Sequence, residues 1–341
     1  MNGDVAIDVA ALDAWVGERL PGAGEPMSVE RMGVGVGMGN ALFMLRRGAH
    51  RWVLRRPPAV KNHPSAANTE REWRILSALD GTPVPHPTPL LYCDDPSVIG
   101  ATFLIMDLVD GFCPGAGLPD WLTEDTAALH GLGLAYVDGL IELSKVDWRA
   151  AGLESLGRPD GFLERQVPRW MTQLEGYRVR ELPEESFLVR WLEENRPSMS
   201  AAAIMHGDYS PYNVMVADDR PMRLAAIIDW DTGTIGDPLL DLGHLLARWA
   251  EPGEDGPLRG IGLAGYPKRA EMAARYAAGT GRDITALAYY EALSLFKLGV
   301  ILEGTFARGR KAGLLDAENT IGVSVERLFT VAAEFARGIR R

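Results

Sequence analysis

The stretch HGDYSPYNVMV, residues 206–216, sets an aspartate five positions ahead of an asparagine, in a polar loop that runs into an apolar strand. A second apolar run, RLAAIID (223–229), follows, and ADDRP joins the two, so they read as a short hairpin. The outer ends of that hairpin are Asn213 and Asp229, which therefore lie side by side, with Asp208 in the loop just ahead of them. Carboxylate and amide oxygens grouped in this way suit Mg²⁺, a hard cation that proteins hold through one or two carboxylates together with substrate phosphates. A further carboxylate ahead of the ligands, Asp208, is placed to orient or deprotonate an attacking hydroxyl. The plain alternative is that Asp208 and Ser210 are turn caps and that Asp229 ends a strand.

Composition narrows what surrounds this loop. The chain has 341 residues, more than the roughly 250 to 300 at which a single core stops growing, so two lobes are expected. With 47% of residues hydrophobic, an ordinary core can form. A net charge of -11 and a pI near 5.1 argue against a nucleic-acid partner or an anionic membrane surface, either of which needs a basic face. Cys93 and Cys113 are the only two cysteines, which fits neither a disulfide framework nor a zinc site and points to a reducing, cytoplasmic setting. The opening MNGDVAIDVA has no basic region followed by a long apolar one, and no run of about 18 apolar residues occurs, so neither a signal peptide nor a membrane span is expected.

The pattern along the chain changes near residue 110. Residues 7–20 have helical spacing and are followed by Pro21 and Gly22. ALFMLRR and RWVLRR, joined by GAH, read as a hairpin that Pro57 and Pro58 stop. A helix follows over 65–80, then proline-rich punctuation at 83–89 and the strands PLLYC and ATFLIMDLV. The remainder is mostly helical, over 122–147, 161–176, 185–195, 238–250, 267–279, 283–309 and 323–339. This gives an α+β chain with a small-sheet lobe over 1–110 and a helical lobe over 111–341, and it contains no internal repeat.

The first lobe supplies a grip that the aspartate loop lacks. Glu72 precedes Ile75, Leu76 and Leu79 by three, four and seven positions, so it lies on the apolar stripe of its helix and needs a cationic partner. Arg55, at the end of RWVLR, is the candidate, and a guanidinium fixed in this way can clamp phosphates. The competing reading has Glu72 reaching water at the stripe's edge. Glycines at 33, 35, 37 and 39 precede a strand and allow close approach of backbone N–H groups to phosphates, although no helix follows them and no GK[ST] occurs.

This order of strand, arginine, helix glutamate, hinge, H-x-D-x-x-x-x-N and a later aspartate resembles the bilobal protein-kinase fold. HGDYSPYN together with IIDWDTGTIGDPLLDLG resembles the aminoglycoside phosphotransferase and choline kinase branch. WVLRRPP, REWRIL, VIGATFLIMDLVDG, RQVPRWMTQ and FKLGVILEGTFARG are similar to the kinase-like domain fused to certain acyl-CoA dehydrogenases and to its stand-alone bacterial relatives, over about residues 10–335. The resemblance implies ATP and Mg²⁺ as cofactors, Asp208 as catalytic base, and Asn213 and Asp229 as Mg²⁺ ligands. It also implies Arg55 at the ATP phosphates with Glu72 as its partner, Asn40 in the glycine-rich loop, and adenine on the hinge backbone at Met106, Asp107 and Val109. His206 would be structural, Asp241 would brace the catalytic loop from beneath, and Asp237 would cap the helix that begins at Pro238. Two departures stand out: Gly39 replaces a serine that is usual before Asn40, and Arg55 replaces the lysine of protein kinases.

The acceptor is less constrained. Only WDTGTIG and Asp237 separate Asp229 from Pro238, too few residues for the segment on which a protein kinase lays a peptide, so a small-molecule hydroxyl is expected. An aminoglycoside or amino alcohol would call for an acidic pocket, whereas a hydroxyacyl thioester would call for cations. Arg165, Arg169, Arg178 and Arg180 are candidates for those cations, or else ordinary solvated helix charges. A nucleotide-binding pseudokinase that regulates a partner, and a metal-dependent hydrolase, are the alternatives in other classes.

Overall fold

The structure, a computed structural model, describes residues 7–32, 41–57, 66–199, 201–258, 262–315 and 319–340. It has the α+β, bilobal protein-kinase-like fold, with a five-stranded antiparallel sheet in the first lobe and a mostly helical second lobe.

Five strands form the first sheet: β1 (Met27–Arg31), β2 (Ala41–Arg47), β3 (His50–Arg56), β4 (Pro89–Cys93) and β5 (Phe103–Asp107), in spatial order β1-β2-β3-β5-β4. β2 and β3 close on the pair Arg47 and His50, with Gly48 at φ 57°, a left-handed conformation that glycine adopts without strain. β5 is the apolar run FLIM because the sheet is covered on both faces. Phe103 and Ile105 pack with Leu12 and Val16 of helix α1 (Val9–Val16), while Leu104 and Met106 face helix α2 (Ala66–Leu79) through Ile75, Leu76 and Leu79. The expected leading helix over 7–20 is shorter than its pattern: the chain turns at Gly17, φ 52°, four residues ahead of Pro21. β1 was not anticipated, because MSVER is an edge strand with three exposed positions and little apolar signal.

The second lobe holds α3 (Asp120–Thr123), α4 (Thr126–Lys145), α5 (Gln166–Glu175), α6 (Glu185–Glu194), α7 (Leu239–Arg248), α8 (Arg269–Thr280), α9 (Leu287–Lys311) and α10 (Thr320–Ala336). The helix expected over 122–147 is divided into α3 and α4, and the others match the expected helices except at their ends; residues 161–165, for instance, form turns before α5 begins. Asp125 starts α4 by accepting the Ala128 N–H at 2.9 Å. The hairpin is present as β7 (Val214–Val216) and β8 (Leu224–Ile227), with Val214 opposite Ile227. A second small pair, β6 (Ala203–Met205) with β9 (Thr234–Gly236), holds the start of the aspartate loop against the segment that follows the hairpin. Three-residue strands carry too little alternation to be seen in a sequence.

One core runs through both lobes, from Ile75, Leu76, Leu104 and Met106 in the first to the helices of the second. Arg71 of α2 stitches them further, donating to the Leu156 carbonyl at 2.9 Å and to the Gly233 carbonyl at 2.8 Å. Among the described residues, no helix is long and apolar enough to cross a membrane.

The helix α7, which backs the aspartate loop, lies directly against α9 at Gly243, where an added Cβ would come within 2.7 Å of the Tyr290 carbonyl carbon and Cβ. Backbone cannot swing aside as a side chain can, so overpacking of about 1–3 kcal/mol should outweigh the roughly 1 kcal/mol that alanine gains over glycine in a helix. Gly243→Ala is therefore expected to lower the denaturation midpoint in urea; an unchanged or raised midpoint would show that α9 yields.

Candidate active site

Asp241, on the first turn of α7, organises the aspartate loop from below. Its two carboxylate oxygens accept the backbone N–H groups of His206 at 2.6 Å and Gly207 at 2.9 Å. Gly207 sits at φ 83°, and a Cβ there would meet the Thr232 carbonyl oxygen at 2.8 Å, so the turn requires glycine. The His206 ring accepts the Asp208 N–H at Nδ1, 3.3 Å, and donates from Nε2 to the Ile228 carbonyl at 2.8 Å, which fixes the orientation of the ring. Thr232 donates to the His206 carbonyl at 2.8 Å, Lys297 of α9 to the Gly207 carbonyl at 2.6 Å, and Tyr209 to the Tyr136 carbonyl at 2.8 Å. His206 and Asp241 thus both hold the backbone of the loop. Asp237 likewise accepts the Leu239 N–H at 3.1 Å at the start of α7.

Asn213 donates Nδ2 to the Asp208 carboxylate at 3.0 Å and to the Asp208 carbonyl at 2.8 Å. Its amide oxygen is thereby turned away from Asp208 and left for another partner. The Ile228 N–H donates to the Asn213 carbonyl at 2.9 Å, which extends the hairpin ladder to its mouth and puts Asp229 next in line. Asp229 takes the left-handed backbone conformation, φ 65° and ψ 62°, unusual for a residue other than glycine.

From the first lobe, Arg55 meets buried Glu72 in a two-point pair, Nε to Oε2 at 3.0 Å and Nη1 to Oε1 at 3.2 Å. The third nitrogen, Nη2, reaches Asp229 at 2.5 Å and Asp231 at 3.7 Å. Burial raises the Glu72 carboxyl to about 7 against the pull of Arg55, and burial followed by Asp229 raises Asp231 to about 6. Three carboxylates around one guanidinium leave this corner electron-rich. Among the described residues, no three His, Cys, Asp or Glu side chains converge as a metal cage. The donors are instead one half-exposed carboxylate and one amide oxygen, a partial set of hard oxygens that suits a cation completed by phosphates and water.

Met106 is buried, and Asp107 ends β5 with its N–H donated to the Thr88 carbonyl at 3.0 Å; Val109 lies two residues beyond the strand. Asn40 and the glycines at 33, 35, 37 and 39 lie outside the described residues. Of the four arginines considered for an anionic acceptor, three are engaged elsewhere. Arg165 holds the carbonyls of Arg158 and Asp160, Arg178 lies between Glu175 and Glu185 at 2.6 Å each, and Arg180 between Glu303 at 2.8 Å and Glu326 at 2.7 Å. They are structural charges. Arg169 has no carboxylate within 4.0 Å among the described residues and lies over the Trp170 ring.

The sequence reading missed His244 and Arg248. His244 Nε2 lies 3.0 Å from the second oxygen of Asp208, and Arg248 Nη1 lies 3.7 Å from that oxygen. A signal was available: Asp241, His244 and Arg248 follow at i, i+3 and i+7 along LLDLGHLLAR, one polar stripe on an otherwise apolar helix. Burial alone would raise Asp208, but the hydrogen bond with His244 and the nearby guanidinium outweigh it and hold the carboxyl well below the usual range. Asp208 is therefore a carboxylate, ready to accept a proton-bearing group, throughout the neutral range.

A two-lobed clamp with a paired arginine on one side and an aspartate–asparagine loop on the other is the architecture of phosphotransferases of the kinase-like fold. The model of the phosphotransferase enzyme family matches residues 32–277, and the chain belongs to that family. It is 31% identical over 315 residues to acyl-CoA dehydrogenase family member 11 of Rattus norvegicus, covering 88% of this chain but 39% of the rat protein, so the chain spans about two fifths of that relative. The crystal structure of a putative aminoglycoside phosphotransferase from Ralstonia eutropha superposes with a TM-score of 0.83 at 30% identity, covering 98% of this chain and 99% of that one. The streptomycin–ATP–APH(2")-IIa ternary complex shares the fold at 15% identity, with a TM-score of 0.55 over 87% of this chain and 90% of that one.

Burial lowers His244 from 6.5 to about 4, against the pull of Asp208, so the ring is neutral in the folded protein at neutral pH. Between those two values the unfolded chain takes up a proton that the folded chain refuses, so stability falls as the pH falls through that window, by on the order of 3 kcal/mol. Urea unfolding of wild type and His244→Gln between pH 7 and pH 4 should show a shallower loss in the variant; parallel slopes would mean that His244 does not carry this dependence.

Proposed function

We propose that this chain is a Mg²⁺-dependent kinase that moves the γ-phosphoryl group of ATP to a hydroxyl of a small molecule. The observation that carries this reading is the meeting of the two lobes at Arg55: its guanidinium pairs with Glu72 and reaches Asp229, beside the loop that holds Asp208 and Asn213. In this reading Arg55, oriented by Glu72, grips the nucleotide phosphates, and the backbone beyond β5 at Val109 receives adenine. Asn213 and Asp229 supply oxygen ligands to Mg²⁺, which when bound neutralises charge on the phosphates. Binding there competes with the Arg55–Asp229 contact, and the phosphates give Arg55 a replacement partner.

Asp208 accepts a hydrogen bond from the acceptor hydroxyl and orients it in line with the phosphorus. A carboxylate held this far ionised is a weak base, so the proton moves late, after bond making to phosphorus is under way. Positioning and electrostatics supply most of the rate in such a reaction. The small-molecule acceptor is supported by the segment after Asp229, which is spent on a single 3₁₀ turn, Trp230–Thr232, and on β9 before α7 begins, so it offers no platform for a peptide.

Asp208→Asn keeps the shape and the Asn213 contact but removes the proton acceptor. Turnover should fall by a factor of about 10² to 10⁴ while calorimetric affinity for Mg·ATP stays within about twofold. Mass spectrometry of an alcohol panel with both proteins checks this, and equal turnover would sink the assignment.

A further inference from the structure

Arg248 is an arginine with its charge largely unspent. Its side chain is 15% exposed, and its one hydrogen-bond contact with the described residues is Nη1 to His244 Nε2 at 2.7 Å. The nearest carboxylate, Asp208, is 3.7 Å away. By contrast Arg178, Arg180, Arg269 and Arg340, in the same lobe, each hold a carboxylate at 2.8 Å or closer. Its other nitrogens make no hydrogen bond to the described residues, and none of them is both sealed from solvent and unpaired. Burial depresses the guanidinium, as expected of a cation that its surroundings compensate incompletely.

The contact with His244 is itself unsettled. One ring nitrogen cannot both donate to Asp208 at 3.0 Å and accept from Arg248 at 2.7 Å. If a ligand takes the guanidinium, Nε2–H is left to Asp208 alone, and the carboxylate gains a firm hydrogen bond. We propose that Arg248 recognises an oxyanion carried by the acceptor, so that the preferred substrates are hydroxy acids or hydroxylated phosphate esters and not amino alcohols or aminoglycosides. The proposal rests on the kinase reading above and refines its acceptor.

The geometry sets the spacing within the substrate. A hydroxyl on Asp208 and an oxyanion on Arg248 are held by groups 3.7 Å apart, so the two functions lie within a few bonds of each other, as in a 2- or 3-hydroxy acid. An ammonium at the same distance from the hydroxyl would meet the guanidinium and be repelled.

The test compares matched probes with the full chain in Mg·ATP or Mg·ADP: 3-hydroxybutyrate against its amide, glycerol 3-phosphate against glycerol, and ethanolamine as the cationic arm. Binding to the Mg·ADP complex is read by saturation-transfer NMR, and phosphoryl transfer by mass spectrometry, with the two anions separating carboxylate from phosphate recognition. At least one anion should bind more tightly than its neutral partner, and Arg248→Gln should weaken that anion at least about tenfold while leaving the anion-to-neutral ratio near one. Arg248→Lys, which keeps the charge and guards against a folding defect in the glutamine variant, should restore part of the preference. Equal binding of anion and neutral partner, no anion binding at millimolar concentration, or preference for ethanolamine would overturn the proposal. Transfer to ethanolamine that depends on Asp208 would do so while leaving the kinase reading intact. Anion binding that depends on Arg248, with no transfer to any alcohol, would support the anion site and count against the kinase reading.

Discussion

The guanidinium of Arg55 is the point at which the two lobes become one site. Glu72 arrives from α2, and Asp229 and Asp231 arrive from the segment after β8, so a single cation is shared by three carboxylates from distant parts of the chain. Removing one partner of a buried pair costs about 3–5 kcal/mol because the other is left uncompensated, so the positions of β3, α2 and the Asp229 turn are not independent. Arg71, one residue before Glu72, holds the Gly233 carbonyl just past that turn and extends the same coupling through backbone. These contacts fix α2 to the second lobe and keep Glu72 buried and aimed at Arg55.

What the sequence disclosed, and what it withheld, follows from which contacts are local. Glu72 could be paired with Arg55 because a carboxylate on an apolar stripe is costly enough to demand a cation, and the nearest strand end offered one. Asn213 and Asp229 could be brought together because a hairpin fixes its own register, and the ladder does reach Asn213 and Ile228. β6 and β9 escaped notice because each has three residues and they pair across a separation that no local pattern spans. His244 and Arg248 escaped because buried polar residues on a helix give no hint of which loop they face, although their stripe with Asp241 marked them as a group. Arg165, Arg178 and Arg180 show the converse, since the sequence displays the cations without showing the carbonyls that hold Arg165 or the carboxylates that hold Arg178 and Arg180.

About two turns of helix α7 do three separate jobs. Asp241 fixes the backbone of His206 and Gly207, His244 meets the Asp208 carboxylate, and Arg248 stands beside both. The helix can do this only because it lies close to its support, and Gly243, against Tyr290 of α9, is what allows the approach. Lys297, also on α9, reaches the Gly207 carbonyl, so the support contributes chemistry as well as shape. A carboxylate carried on a loop is thus placed with the rigidity of two packed helices.

The two arginines of the cleft are opposite in their surroundings, and the contrast gives the site a direction. Arg55 has three carboxylates around it, more than one guanidinium can neutralise when all are ionised. Arg248 has one carboxylate nearby, at 3.7 Å, and a neutral imidazole at 2.7 Å. Asp208 lies between, bound on one oxygen to Asn213 and on the other to His244. Contacts on both oxygens restrict the rotation of this carboxylate, and under the kinase reading proposed above the lone pair it offers a hydroxyl would keep one orientation.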